Sequence, residues 1–204
     1  MSPNSNGDRQ SASERLKALG LTLEGAVLFH WIVVHHSASA DGRTFDWPGI
    51  KKYHMSYRYN GNIITKEDYD KLRAAGQTLG LEAPWSDCGY HLGIEDAGGM
   101  LKVSPGRPLK TIGSHVSGFN QQSLGICHVG NFDKNKPSDL LWATSIPVVM
   151  DLMRWFGIPT KNVVGHREVY PMLGQPVKKS CPGDKWDCDR YRDEINVRLQ
   201  RAVR

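Results

Sequence analysis

The chain has 204 residues, 39% hydrophobic and 23% charged. That is the balance of a globular protein able to bury one core, and it excludes a disordered or collagen-like chain. The 26 Lys and Arg against 21 Asp and Glu give a formal charge of +5, a mild bias toward anionic partners such as nucleic acid, cell-wall polymer or anionic membrane.

Met1 to about Ser13 reads as a polar, solvated tail with no apolar run, hence with no secretory signal. "SERLKALGL" reads as a short helix with Ser13 as its candidate N-cap and Gly20 near its end. The longest apolar run, Ala26 to Val34, contains His30 and is too short to span a bilayer. A soluble chain made in the cytoplasm, without stable membrane insertion, is therefore expected. "AVLFHWIVVHH" is continuously apolar and β-branched, which predicts a buried central strand. "DWPGIKKYHMSY" predicts a helix started by Pro48. From "RYNGN" to "LEAPW" a polar segment, helical around "TKEDYDKLRAAG", reads as an insertion over the core.

Three strands follow in "CGYHLGIED", "GMLKVSPG" and "SLGICHVGNF", the first two joined by a hairpin turn. "SDLLWATSIPVVMDLMRWFGI" predicts a long helix, interrupted by Pro147 and ending at Gly157. "NVVGHREVY" reads as a short strand and loop. "WDCDRYRDEINVRLQRAV" predicts a helix with Trp186, Tyr191, Ile195 and Leu199 on its packed face. Its Arg190, Arg192, Arg198, Arg201 and Arg204 are balanced by Asp187, Asp189, Asp193 and Glu194, so a solvated face is favoured over membrane contact. Strands and helices mix around one sheet in one α/β domain. No nucleic-acid motif is present, which disfavours that partner.

Eight histidines is a high count for this length, and His35, His91, His115, His128 and His166 fall at expected strand ends or adjoining loops, where α/β sheets keep their sites. Histidines in such places more often serve structure than metal. His166 stands out because "VVGHREV" delivers it to a loop mouth, and Cys181 follows in "KKSCPG". Cys181 lies beside Lys179, a cation that favours the thiolate. Two imidazoles and a thiolate, with one position left open, form a catalytic rather than structural zinc set. "VVHHSAS" poses a choice, because His35 and His36 must face apart on a strand. Spacing alone does not decide between this set, a cysteine nucleophile at Cys181 with His166 as base, and a non-catalytic binding module. The four cysteines have no spacing typical of zinc fingers or disulfide scaffolds, so free thiols are expected.

The blocks "VVHHSAS", "SDCGYHLGI", "IGSHVSGFNQQSLGICHVGNFD" and "VVGHREVYP…KKSCPG" resemble, in order and placement, the type-2 zinc N-acetylmuramoyl-L-alanine amidases, which include phage amidase lysozymes and peptidoglycan recognition proteins. The resemblance runs over about Ile32 to Asp187, excluding much of Arg58 to Pro84, and is strongest to the phage enzymes. It implies a single domain with a central mixed β-sheet flanked by α-helices. The chain then divides into a tail and short helix over 1–25 and a catalytic domain over 26–204, and it departs from the family in that extra helix and in an insertion near 57–85, where the family is usually shorter. The resemblance implies one Zn²⁺ per chain held by His35, His166 and Cys181, with Tyr90 and Lys179 catalytic and His115 near the substrate groove. His36 then belongs to the opposite layer. The partner implied is bacterial peptidoglycan, cut by a monomer between N-acetylmuramic acid and L-alanine. A phage endolysin held in the host cytoplasm until the membrane is breached is the expected biology, with a peptidoglycan-recycling amidase as the alternative.

Overall fold

The computed structural model describes residues 6–39 and 46–201. Residues 1–5 of the expected tail, and Arg204 of the C-terminal helix, lie outside them. In chain order the elements are α1 (Asn6–Ala18), β1 (Trp31–His36), α2 (Trp47–His54), β2 (Arg58–Tyr59), β3 (Asn62–Ile63), α3 (Lys66–Ala74), β4 (Leu81–Glu82), β5 (Leu92–Asp96), β6 (Leu101–Pro105), β7 (Ser123–His128), α4 (Asp139–Phe156), β8 (Val163–Gly165), α5 (His166–Met172) and α6 (Cys188–Arg201).

The main sheet has five strands in the order β6-β5-β7-β1-β8. β5, β7, β1 and β8 run parallel, and only the edge strand β6 is antiparallel, so the expected mixed sheet is what forms. β1 is central, bonded to β7 on one side and β8 on the other, which suits the unbroken apolar run of its sequence. Strand alternation then assigns its faces. Ile32 and Val34, with Leu124, Ile126 and Val163, join the large core under α1, α4 and α6. Val33, with Val116, Phe119, Val164 and Val169, packs on the opposite face. His35 continues the Val33 face and His36 the Val34 face. Parallel strands put the C-terminal ends of β1, β7 and β8 side by side, and such an edge is where α/β sheets hold ligands.

Three local expectations change. α1 begins at Asn6, so Ser13 is inside the helix and only 7% exposed rather than capping it. The cause is tertiary: Ala12 and Leu16 are fully buried, α1 packs on α4, and Arg15 forks onto Asp151 at 2.7 and 2.6 Å. α4 runs unbroken through Pro147, capped by Ser138 at its start and by Gly157 at φ 70° at its end. Pro147 is exposed. Its cost of about 3 kcal/mol is smaller than the gain from burying Ile146, Val148 and Val149 behind it, each about 1.5–3 kcal/mol. Finally, His166 opens helix α5 instead of sitting in a loop. Gly165 N–H donates to the Glu168 carboxylate at 2.7 Å, and Arg192 holds that carboxylate at 2.8 and 2.9 Å.

The 58–82 segment adds no strand to the main sheet. It forms its own three-stranded sheet, β3-β2-β4, with α3 burying no residue. α6 packs through Tyr191 and Ile195, with Trp186 just before it and Leu199 partly buried. All four cysteines are free and buried. Among the described residues no helix is long and apolar enough to cross a membrane.

Candidate metal centre and cleft

At the C-terminal edge of the sheet, His35 from the end of β1, His166 from the first turn of α5 and Cys181 from the loop before α6 converge. Their donor atoms all lie within 4.8 Å of one another. The separation of His35 Nδ1 and Cys181 Sγ is 3.5 Å. Zinc–nitrogen bonds near 2.0–2.1 Å and a zinc–sulfur bond near 2.3 Å give a tetrahedral N···S edge of about 3.5 Å. The donor set fits that ion. Arg167 couples two of these three residues: its backbone N–H donates to the Cys181 carbonyl at 2.7 Å, and its guanidinium donates to the carbonyls of Ser180, Gly183 and Trp186. The loop carrying Cys181 is thereby tied to the helix carrying His166.

The other nitrogen of His35 is committed as well. His35 Nε2 lies 3.0 Å from His115 Nδ1, and His115 Nε2 lies 3.3 Å from the Ser123 carbonyl. Because a carbonyl only accepts, His115 carries its proton on Nε2, accepts at Nδ1 from His35, and leaves His35 Nδ1 as a lone pair facing Cys181. An outer hydrogen bond that fixes the tautomer is the usual support of a metal-ligating imidazole. Gly125 makes room for it, since a Cβ there would meet the His115 ring at 2.6 Å.

Burial shapes the charges. It lowers His35 well below the ordinary imidazole value, with His115 and His166 adding to the effect. Burial, joined by Lys179, brings His166 down to about 4. Both rings are neutral at pH 7, the form that ligates. Lys179 favours the Cys181 thiolate as the sequence suggested, but burial outweighs it and pushes the thiol up to about 12. A thiol in that state is a poor nucleophile without an inserted cation, which weighs against the cysteine-nucleophile reading. Burial also holds the Tyr90 phenol well above its ordinary value, so it remains a donor.

His35, His166 and Cys181 border a cleft of about 520 Å³ that also takes in Tyr90, His115 and Lys179. The Tyr90 ring centre is 5.0 Å from that of His35. His36 reaches the cleft rim, but its Nδ1 accepts from the Phe132 N–H at 3.1 Å. Two other histidines of interest are structural. His91 is fully buried, accepting at Nδ1 from the Gly125 N–H and donating from Nε2 to the Thr111 carbonyl. His128 is fully buried against Trp186. His54 and Trp85, which stack at 4.6 Å, and Lys178 beside Lys179 also line the cleft, although they stand outside the candidate residues of the sequence. A tryptophan five residues before Tyr90, in an otherwise polar stretch, was the available signal.

A family model described as N-acetylmuramoyl-L-alanine amidase matches residues 27–184. The chain is similar to an endolysin of Klebsiella phage KP32, 33% identical over 108 residues, or 50% of this chain and 62% of that protein. It is similar to peptidoglycan-recognition protein LB of Drosophila melanogaster, 29% identical over 133 residues, or 65% of this chain and 53% of that one. The chain thus spans about half to two thirds of the length of these relatives. Among solved structures it resembles the endolysine N-acetylmuramoyl-L-alanine amidase LysCS from Clostridium intestinale URNW, with TM-score 0.52 and 21% identity over 84% of this chain and 87% of that one. It also resembles PGRP-SA of Apis mellifera, with TM-score 0.51 and 19% identity over 83% and 82% of the two chains. At such identities the structural likeness bears on the fold alone.

Proposed function

The chain belongs to the N-acetylmuramoyl-L-alanine amidase family, and from that premise we propose that it is a zinc hydrolase cleaving the amide between N-acetylmuramic acid and L-alanine in peptidoglycan. The observation that carries the reading is the convergence of His35, His166 and Cys181 on one open cleft. Three protein donors, from separate elements, are the number that would hold a hydrolytic zinc. When bound, the ion supplies Lewis acidity that activates water and polarises the scissile carbonyl.

The remaining work falls to the chain's own groups. As the carbonyl becomes tetrahedral, its oxygen gains negative charge, and Lys179 and Tyr90, both of which line the cleft, are the groups we assign as donors to it. One of these donors then gives a proton to the departing L-alanine amine. His115 orients His35 through the 3.0 Å contact. The similarity to phage endolysins supports wall lysis as the biological role, with the enzyme acting as a monomer once the host membrane is open.

The deciding experiment is mass analysis of digested sacculi. New L-alanine amino termini with intact glycan chains are expected, and new reducing sugar ends would overturn the reading. Chelation should abolish lysis and added Zn²⁺ restore it. Clearing of intact sacculi, rather than a preference for soluble anhydro-muropeptides, separates the endolysin from a recycling amidase.

A further inference from the structure

The loop that carries Cys181 is gripped from two sides. On one side stands Arg167, the residue after His166. Besides its backbone N–H on the Cys181 carbonyl, its guanidinium donates to the carbonyls of Ser180 at 3.0 Å, Gly183 at 2.7 Å and Trp186 at 2.7 Å. One planar fork thus fixes the loop before and after its cysteine, a span that a compact ammonium does not match.

On the other side stand Phe132 and Asp133, in the segment that follows β7. The Phe132 carbonyl accepts from the Lys185 N–H at 2.8 Å, and Asp133 Oδ1 accepts from the Asp184 N–H at 3.0 Å. The Asp133 carboxylate is also hydrogen-bonded to the Ser180 side chain. The two segments lie so close that a Cβ on Gly183, whose φ is 112°, would meet the Phe132 carbonyl carbon at 2.4 Å. Trp186, 1% exposed and packed beside Phe132, anchors the far end of the loop in the large core. All of these bonds join protein groups, and none of them uses the Cys181 thiol. The sulfur is left facing His35 Nδ1 at 3.5 Å. A ligand loop fixed in advance spares metal binding the entropy of ordering it.

We propose that Arg167 and Asp133 are positioning residues that hold the 180–186 loop so that Cys181 stands in ligating place before the metal arrives. This rests on the zinc reading of the site.

The test uses the full chain, zinc-loaded and stripped of metal, with the variants Arg167→Lys, Asp133→Ala and Asp133→Asn. Arg167→Lys keeps the charge and gives up the fork, whereas Asp133→Asn gives up the charge and keeps an acceptor for the Asp184 N–H. Zinc competition against a chromophoric chelator should show Kd raised about 10–100-fold in Arg167→Lys and Asp133→Ala, and largely recovered in Asp133→Asn. Amide hydrogen exchange should find Gly183 to Trp186 protected in metal-free wild type and faster in the two weakened variants, with β1 and β7 unchanged. A wild-type loop that becomes protected only when zinc is added overturns the proposal. So does faster exchange spread equally over β1 and β7, a zinc Kd within twofold of wild type, or an Asp133→Asn protein as weak as Asp133→Ala. Should Arg167→Lys fail to fold, the two Asp133 variants carry the same comparison. A wild type that binds no zinc overturns the metal reading and this inference together, whereas a zinc-binding wild type that releases no L-alanine amino termini overturns the amidase reading alone.

Discussion

Replacing His115 with alanine tests the hydrogen-bond chain beneath the metal site. The buried His35, 1% exposed, loses the acceptor 3.0 Å from its Nε2, and nothing then fixes which of its nitrogens faces Cys181. Loss of an outer partner of a zinc-bound histidine weakens metal affinity about 10–100-fold, or about 1.4–2.7 kcal/mol. The cost of a buried donor left without a partner, about 1–3 kcal/mol, is independently of the same size. Zinc competition against a chromophoric chelator measures the change, with circular dichroism as a check on folding. His115→Gln, which keeps an acceptor atom, should recover part of the affinity. A folded His115→Ala protein with zinc Kd within twofold of wild type would refute the reasoning. If KM rose while zinc Kd stayed fixed, His115 would serve the substrate groove only.

Other outcomes follow from the same geometry. His35→Ala should lose metal, whereas His36→Ala should keep zinc and lose about 1–3 kcal/mol of stability, because the Phe132 N–H bonded to His36 Nδ1 is orphaned; metal loss from the His36 variant would reverse the assignment. Lys179→Ala and Tyr90→Phe should each retain zinc and lose about 10²–10³ in kcat if they serve the oxyanion, and wild-type rates would return them to surface and packing roles. Burial lowers His91 to about 4 from an ordinary 6.5, so below pH 6.5 the unfolded chain takes up a proton that the folded one refuses. Its contribution is full above 6.5 and is lost as pH falls toward 4, at up to about 1.4 kcal/mol per pH unit. Urea midpoints of the metal-free protein should therefore fall more steeply with acidification than those of His91→Gln, and parallel slopes would contradict this.

The sequence by itself determined the elements whose signals are local. The apolar β-branched run around Val33 is the central strand, Pro48 and Gly157 mark helix ends, and the turn after Asp96 closes a hairpin. Alternation alone placed His35 and His36 on opposite faces, and the resemblance selected His35, His166 and Cys181 as the ligand set. Tertiary structure decided what local signals do not encode. α1 extends past Ser13 because its residues have α4 to bury against, and α4 ignores Pro147 because the buried side of the helix outweighs one lost backbone bond. Lys179 lowers the Cys181 thiol as its place in the sequence suggested, while burial pushes it up to about 12, since desolvation depends on everything packed around a group and not on the adjacent residue. His54, Trp85 and Arg58 escaped notice for the same reason. Their contacts are made between segments separated along the chain, His54 of α2 stacking on Trp85 and Arg58 of β2 lying against Tyr53 and Trp85.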